Sequence, residues 1–382
     1  LRRDVIYLDN AATTWPKPER VYKAMQEFAL RYGANPGRSG HRMAVEAEQL
    51  IYAVRSKLAR FINAEDPSCI VFTLNCTDAL NVAIKGVLRN GDHVITTCME
   101  HNSVERPLCR LQNKGIIELT RVAPINGIVP PDDIVQAIRP NTRLIVTTHA
   151  SNVIGKINPV EQYGRLARSK GVILLVDAGQ TMGVVKIDVE HSCIDMLAFP
   201  GHKGLFGPTG TGGLYVRKGL DLEPFREGGT GFASEFMLQP EQMPYHLEGG
   251  TPNSFGIAGL GAGIEFIEDQ GIDKILAHER ELMVKFIEGI QGNSRITLYG
   301  ADDLDRQLGL ISLTIKDMDP MEVGAILDHS FGIACRTGLH CSPAVHKLLG
   351  TFPQGSIRFS FGYFNTEEDV EELIRAINEI TS

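Results

Sequence analysis

A chain of 382 residues with 43% hydrophobic and 22% charged content is long enough for a large core and for two domains. Lysine and arginine are interspersed among the acidic residues that bring the net charge to -8, so no basic stripe offers itself to nucleic acid, and no such partner is expected. No apolar run approaches a membrane span, and the opening, charged over Leu1 to Asp4 and apolar only over Val5 to Leu8, does not read as a targeting segment; a cytoplasmic location without a membrane partner is expected.

In chain order, Tyr7 to Thr14 predicts a short strand running into small and polar residues, an N-terminal arm over residues 1–15. Pro16 and Pro18 then start a helix through about Arg31. Gly33 to Arg42 has too many glycines for a regular element and sets Arg38, His41 and Arg42 on a loop of the kind that often borders an active site. The spacing of Val45, Leu50, Ile51, Val54 and Leu58 predicts an amphipathic helix over Met43 to Phe61.

Short β-branched runs and helical stretches then alternate. Strands are predicted near Ile70 to Thr73, His93 to Thr97, Ile116 to Arg121, Leu144 to Thr148, Val172 to Asp177, Met196 to Phe199 and Gly213 to Val216. Helices fill gaps at Thr77 to Leu88, Val104 to Asn113, Pro131 to Ile138 and Val160 to Ser169. That alternation predicts an α/β fold with a mainly parallel sheet covered on both faces, where ligands bind beyond the C-terminal strand ends.

From Gly249 to Gly263 the composition turns glycine-rich, and a helix through about Glu268 leads into a different texture. Helices at Ile275 to Ile290, Pro320 to His329 and Glu367 to Ile380 there accompany strands at Leu310 to Ile315 and Ser356 to Ser360. A large domain over 16–255 and a smaller α+β domain over 256–382, carrying the Cys341 loop, are expected.

Lys203 lies in Phe199-Pro200-Gly201-His202-Lys203-Gly204, a string that by itself is more often a surface turn. Shortly before it, the apolar run Val172 to Val176 ends in Asp177. A carboxylate at a strand end and an amine on the following loop are the two groups that pyridoxal phosphate needs, one facing the pyridine nitrogen and one binding the aldehyde.

Other constellations leave two readings each. In Asn75-Cys76-Thr77-Asp78, free N–H groups at a helix start would hold a phosphate with the Thr77 hydroxyl, or Thr77 caps the helix. His101 ends another strand, where an imidazole either lies on the pyridine ring and moves protons or is a solvated loop residue. Asn152 bonds a ring hydroxyl or holds a turn.

In Arg336-Thr337-Gly338-Leu339-His340-Cys341-Ser342-Pro343, the cysteine is a partly ionised nucleophile or an inert thiol. Arg358 clamps a substrate carboxylate or is a surface charge beside Glu367 to Glu372. The seven cysteines include no CxxC pair, which disfavours a disulfide framework and a metal site.

Taken together, Thr77, His101, Asn152, Asp177, Gln180, His202-Lys203, Glu248-Gly249-Gly250-Thr251-Pro252-Asn253, Cys341 and Arg358 form an ordered series. It resembles the class V aminotransferase group of fold-type I pyridoxal phosphate enzymes, and within it the cysteine desulfurases of the SufS type, from Leu8 to about Leu373. The resemblance implies Lys203 as the Schiff-base lysine, Asp177 as the pyridine partner and His101 as the stacking residue and proton shuttle. It implies Gln180 and Asn152 near the ring oxygen, and Thr77, Cys76 and His202 around the phosphate.

Thr251 resembles the residue that reaches the phosphate of a neighbouring subunit, which implies a homodimer. Arg358, Asn152, Arg336 and His41 are the implied substrate contacts. The implied reaction takes L-cysteine to L-alanine with a persulfide on Cys341, handed on to a sulfur-acceptor protein, as in iron–sulfur cluster assembly. Pro200 stands where the family usually has serine, Cys76 where threonine is common, and Leu339 in place of a histidine. A selenocysteine lyase, a cysteine or cystine C–S lyase and a class V aminotransferase would share Lys203 and Asp177 and are the alternatives among enzymes; a weakly catalytic partner in a sulfur-transfer assembly is the alternative from another class.

Overall fold

The computed structural model describes residues 5–37 and 40–382; the readings placed on Leu1 to Asp4 and on Arg38 lie outside them. Strand Ile6–Tyr7 (β1) precedes helices Glu19–Glu27 (α1) and Arg42–Phe61 (α2). The alternating run follows: Ile70–Thr73 (β2), Cys76–Val87 (α3), Asp92–Thr97 (β3), Asn102–Asn113 (α4), Ile117–Val122 (β4), Pro131–Gln136 (α5) and Thr142–Thr148 (β5). Val160–Ser169 (α6), Ile173–Asp177 (β6), Met196–Pro200 (β7) and Gly212–Val216 (β8) complete it.

Strands β2 to β8 form one sheet in the order β2-β8-β7-β6-β5-β3-β4. All run parallel except β8, which is antiparallel to both neighbours. The central strands are unbroken apolar runs because both faces are covered. On β6, Leu174 and Val176 enter a core with Leu58 of α2 and Tyr163 of α6, while Ile173 and Leu175 enter one with Ala83 of α3 and Leu108 of α4. Three of these strands end at one cavity, β5 at Thr148, β6 at Asp177 and β7 at Pro200.

Helices Ser254–Gln270 (α7) and Ile272–Gly289 (α8) follow, parted by Gly271 at φ 87°. Ile257, Leu260, Ile264 and Ile267 of α7 pack into the same core as Leu174 and Leu197. Ile296–Tyr299 (β9), Leu310–Ile315 (β10), Pro320–Phe331 (α9), Ile333–Ala334 (β11), Arg336–Gly338 (β12), Pro343–Leu348 (α10), Ser356–Ser360 (β13) and Glu367–Ile380 (α11) close the chain.

An antiparallel sheet in the order β12-β13-β10-β9 packs on α8, α9 and α11 through Phe286, Leu313, Val323, Phe359 and Leu373. The arm joins this sheet's core: β1 pairs in parallel with β11, and Leu8 is buried beside Phe359. Among the described residues no helix is long and apolar enough to cross a membrane, and no cluster of three or more His, Cys, Asp or Glu could hold a metal ion.

Glu279 on α8 is buried, and burial pushes its carboxyl up to about 8. The folded chain therefore keeps a proton that the unfolded chain loses near the usual carboxylate range. Stability falls as pH rises from that range to about 8. Glu279→Gln is expected to gain on the order of a few kcal/mol over the parent at pH 8 and little at pH 5 in urea denaturation. An equal difference at both pH values would refute the assignment.

Candidate active site

The site forms where β6 and β7 end. Asp177, the last residue of β6, is buried; its Oδ1 accepts the Gly179 N–H (2.8 Å) and the Cys76 thiol (3.4 Å). Lys203 follows the end of β7 at Pro200 on a turn closed by Phe206 N–H to the Lys203 carbonyl (2.8 Å) and Gly207 N–H to the Gly201 carbonyl (2.7 Å). The loop after β6 lies backbone to backbone on that turn. Gly183, at φ 88°, permits the approach, since a Cβ there would strike the Gly204 carbonyl.

The N-terminal arm braces the same turn from the other side. Thr13 Oγ1 and Lys17 Nζ donate to the His202 carbonyl (3.0 and 2.5 Å), and Thr14 Oγ1 donates to that of Lys203 (2.7 Å). Burial brings the Lys17 amine down to about 7.

A cavity of about 190 Å³ opens here, lined among others by Cys76, Thr77, His101, Asp177, Gln180 and Lys203. Burial, assisted by the Arg358 and Arg336 charges and opposed by Asp177, lowers the pKa of the Lys203 amine, the condition under which a lysine becomes nucleophilic. Burial also raises the Cys76 thiol well above its ordinary value, so it stays protonated and donates to Asp177. Gln180 Nε2 is tied to the Ala11 carbonyl (3.1 Å).

His101 caps α4. Its Nδ1 accepts the Ser103 N–H (3.1 Å) and lies 2.9 Å from Ser103 Oγ, which is 2.7 Å from Thr77 Oγ1. Because Nδ1 accepts a main-chain N–H, the proton of the neutral ring sits on Nε2. Burial lowers the ring's pKa and favours that neutral form. Behind it, Glu100 is buried and pushed up to about 8 by burial, with Oε1 accepting from Thr97 Oγ1 (2.5 Å) and the Thr148 N–H (3.0 Å).

These contacts remove one of the two readings for Thr77 and for Arg358, and place Asn152. Thr77 is not the helix cap: the Asn75 side chain accepts the Asp78 N–H (2.8 Å), which frees the Thr77 hydroxyl for Ser103. Asn152 lines the cavity, yet both ends of its amide engage the cysteine loop. Nδ2 donates to the His340 carbonyl (2.7 Å) and Oδ1 accepts from Ser342 Oγ (2.8 Å).

Arg358 is not a surface charge but 2% exposed; Nη1 donates to the Asn152 carbonyl (2.9 Å), Nη2 to Asp9 Oδ1 (2.8 Å), and the buried Nε has no partner. Arg336 on β12 lies 4.0 Å from Asp9 Oδ2.

Cys341 is exposed, on a tight turn in which it and His340 both take positive φ (59° and 47°). The Asn102 N–H holds the Cys341 carbonyl (2.8 Å), which ties the loop to the start of α4 beside His101. His340 turns inward: burial lowers its ring to about 2, and Nε2 is 3.1 Å from Ser356 Oγ. It therefore stays neutral and supplies no cation beside the thiol.

Two further expected residues stand apart from this cavity. His41 is exposed and caps α2, its Nδ1 accepting the Ala44 N–H (3.3 Å). Thr251 lies on an exposed turn lining a separate depression with Thr73, Gly210 and Arg226.

The donor set fits pyridoxal phosphate: an amine, a carboxylate, the hydroxyl at the first turn of α3, and His202, whose Nδ1 is buried without a partner and whose ring burial holds at about 4. Such a site on a mainly parallel sheet defines a fold-type I pyridoxal phosphate enzyme. The chain belongs to the class-V aminotransferase family, whose family model matches residues 6–373.

A probable cysteine desulfurase of Methanothermobacter thermautotrophicus is 38% identical over 386 residues, spanning 100% of this chain and 96% of that protein. The apo cysteine desulfurase of Thermococcus onnurineus NA1 superposes with a TM-score of 0.93 at 35% identity, covering 99% of this chain and 95% of that one. The Escherichia coli cysteine desulfurase CsdA, in an S-sulfonic acid form, gives 0.89 at 28% identity with the same two coverages, 99% and 95%.

Proposed function

We propose that this protein is a pyridoxal phosphate-dependent cysteine desulfurase that converts L-cysteine to L-alanine and leaves the sulfur on Cys341. One observation carries the proposal: an exposed cysteine is fixed, by Asn152 and the Asn102 amide, to the elements that line the Lys203 cavity. The family and the full-length cysteine desulfurase relatives support the same activity.

Lys203, Asp177, Thr77 and His202 would hold the cofactor, which when bound supplies a carbonyl for the substrate amine and a ring that accepts electrons from Cα. The Asp177 carboxylate would be the partner of the ring nitrogen. The Lys203 amine, lowered by burial, removes the Cα proton, and His101 Nε2 serves as a second proton position. Arg358 orients the substrate carboxylate.

The Cys341 thiolate attacks the substrate sulfur; the S–S bond forms as C–S breaks, and the electron pair passes to the substrate carbon, which is then protonated. The sum is L-cysteine plus thiol giving L-alanine plus persulfide.

The loop supports a short-loop, SufS-like member, since Cys341 lies between β12, ending at Gly338, and α10, starting at Pro343. Thr251, turned away from the cavity of its own chain, serves the site of a second copy in a homodimer. Free cysteines throughout the chain agree with a reducing, cytoplasmic setting, and a protein acceptor takes the sulfur onward to iron–sulfur cluster assembly. Within this reading the cofactor domain extends through α7 to Gly271, because α7 packs in its core.

The test is alanine and pyruvate release from L-cysteine with a thiol reductant, comparing the cofactor-loaded protein with Cys341→Ala. Alanine is expected from the parent and only background from the variant. Pyruvate formed equally by both would make the protein a C–S lyase.

A further inference from the structure

A groove leads outward from Cys341 between α3 and α4. Lys85 on α3 and Arg106 and Arg110 on α4 line it, all three exposed, and no carboxylate is among its lining residues. None of the three cations has an ion-pair partner among the described residues. The nearby acids are spent elsewhere, Glu105 on Arg121 (2.6 Å) and Asp78 on Arg226 (3.7 Å). Arg106 and Arg110, one helical turn apart, present adjacent charges, and Lys85 lies over the Phe225 ring (4.9 Å). Burial lowers the Lys85 amine, and the Arg110 charge adds to it. On a chain of net charge -8, this is a local reversal of sign at the mouth of the nucleophile.

We propose that this groove docks the sulfur acceptor, and that the acceptor is a protein whose receiving thiol is flanked by acidic side chains. The inference rests on the desulfurase reading. Charge complementarity steers such a segment to Cys341, and three cations favour the incoming thiolate over its thiol. The acceptor thiolate attacks the outer sulfur of the Cys341 persulfide; the S–S bond to Cys341 breaks, Cys341 leaves as thiolate, and the proton lost by the acceptor returns to it. A nucleic-acid acceptor is disfavoured because three cations set against an acidic chain give a weak field for a phosphate backbone.

The probe is a fluorescent cysteine peptide flanked by glutamates, with a lysine-flanked counterpart. Its binding to the cofactor-loaded protein is measured by anisotropy at low and moderate salt. The triple variant Lys85→Gln/Arg106→Gln/Arg110→Gln is expected to bind the acidic peptide about tenfold more weakly, as the loss of three exposed ion pairs implies. It keeps the alanine release seen with a small thiol reductant. The single variant Arg106→Gln shows the same trend in smaller measure if the triple does not fold.

Equal binding by parent and variant overturns the proposal. So does a shift in oligomeric state on charge removal, which would make a second copy the occupant, or displacement of the peptide by a short single-stranded RNA. Absence of alanine from the parent protein would instead strike the desulfurase reading, with the binding result standing separately.

Discussion

Lys203→Ala is expected to lower alanine formation from L-cysteine by roughly four to six orders of magnitude, the range seen when a central member of a catalytic group is removed. The amine sits at the end of β7 with its pKa lowered by burial, so it meets both demands of the proposed reaction, attachment of the cofactor and removal of the Cα proton. Lys203→Arg is the sharper control. It keeps the positive charge beside Asp177 but presents a guanidinium that neither deprotonates nor attacks a carbonyl.

Both variants are expected to fold, because the Thr13, Thr14 and Lys17 side chains hold the turn at its main-chain carbonyls and do not involve the Lys203 side chain. Loss of the visible absorbance of tightly held cofactor should accompany loss of activity. More than a tenth of parent activity in Lys203→Arg would mean that another amine does the work.

The pair Asp177 and Lys203 is legible in the sequence because its signal is local: an apolar run that stops at a carboxylate, then a lysine among glycines. The same holds for the buried strands, where β2, β10 and β13 coincide with the runs of β-branched and aromatic residues that predict them. Strand β12 escapes such reading because Arg-Thr-Gly has no pattern of its own and exists by pairing with β13. Helix α10, six residues long, is too short for a period to show.

Site contacts divide on the same physical line. The amide of Asn152 and the guanidinium of Arg358 find partners about 190 to 350 residues away in the chain, and nothing nearby in sequence announces His340, Ser342 or Asp9 as those partners. The residues around Thr77 fit cap and ligand alike, and the Asn75 side chain, which takes the Asp78 N–H, occupies the cap. Glu100 and Ser103, flanking His101, are polar residues in a polar string, and only burial and the chain of bonds through Thr77 and Nδ1 give them a place in the site.

The second large effect concerns Arg358. Its Nη2 is held by Asp9, its Nη1 by the Asn152 carbonyl, and its Nε is a buried donor with no partner, an arrangement that is costly unless an acceptor arrives. In the proposed reaction the substrate carboxylate would be that acceptor. Arg358→Met is expected to raise KM for L-cysteine by about a hundredfold or more, the loss of a desolvated, charge-assisted contact worth roughly 2–5 kcal/mol. It should also cost about 3 kcal/mol of stability, because Asp9 is left without its buried partner.

The decisive comparison is with cysteamine, which lacks the carboxylate. If Arg358 clamps that group, parent and variant process cysteamine alike and the preference for L-cysteine collapses. If Arg358 only ties the arm to β13, both substrates suffer equally. Asp9→Asn then reads the sign: it keeps an acceptor near Nη2 but removes the competing charge, so KM for L-cysteine should fall below the parent's. A rise would mean that Asp9 is needed to aim the guanidinium, and that the carboxylate binds to an arginine already neutralised by its own chain.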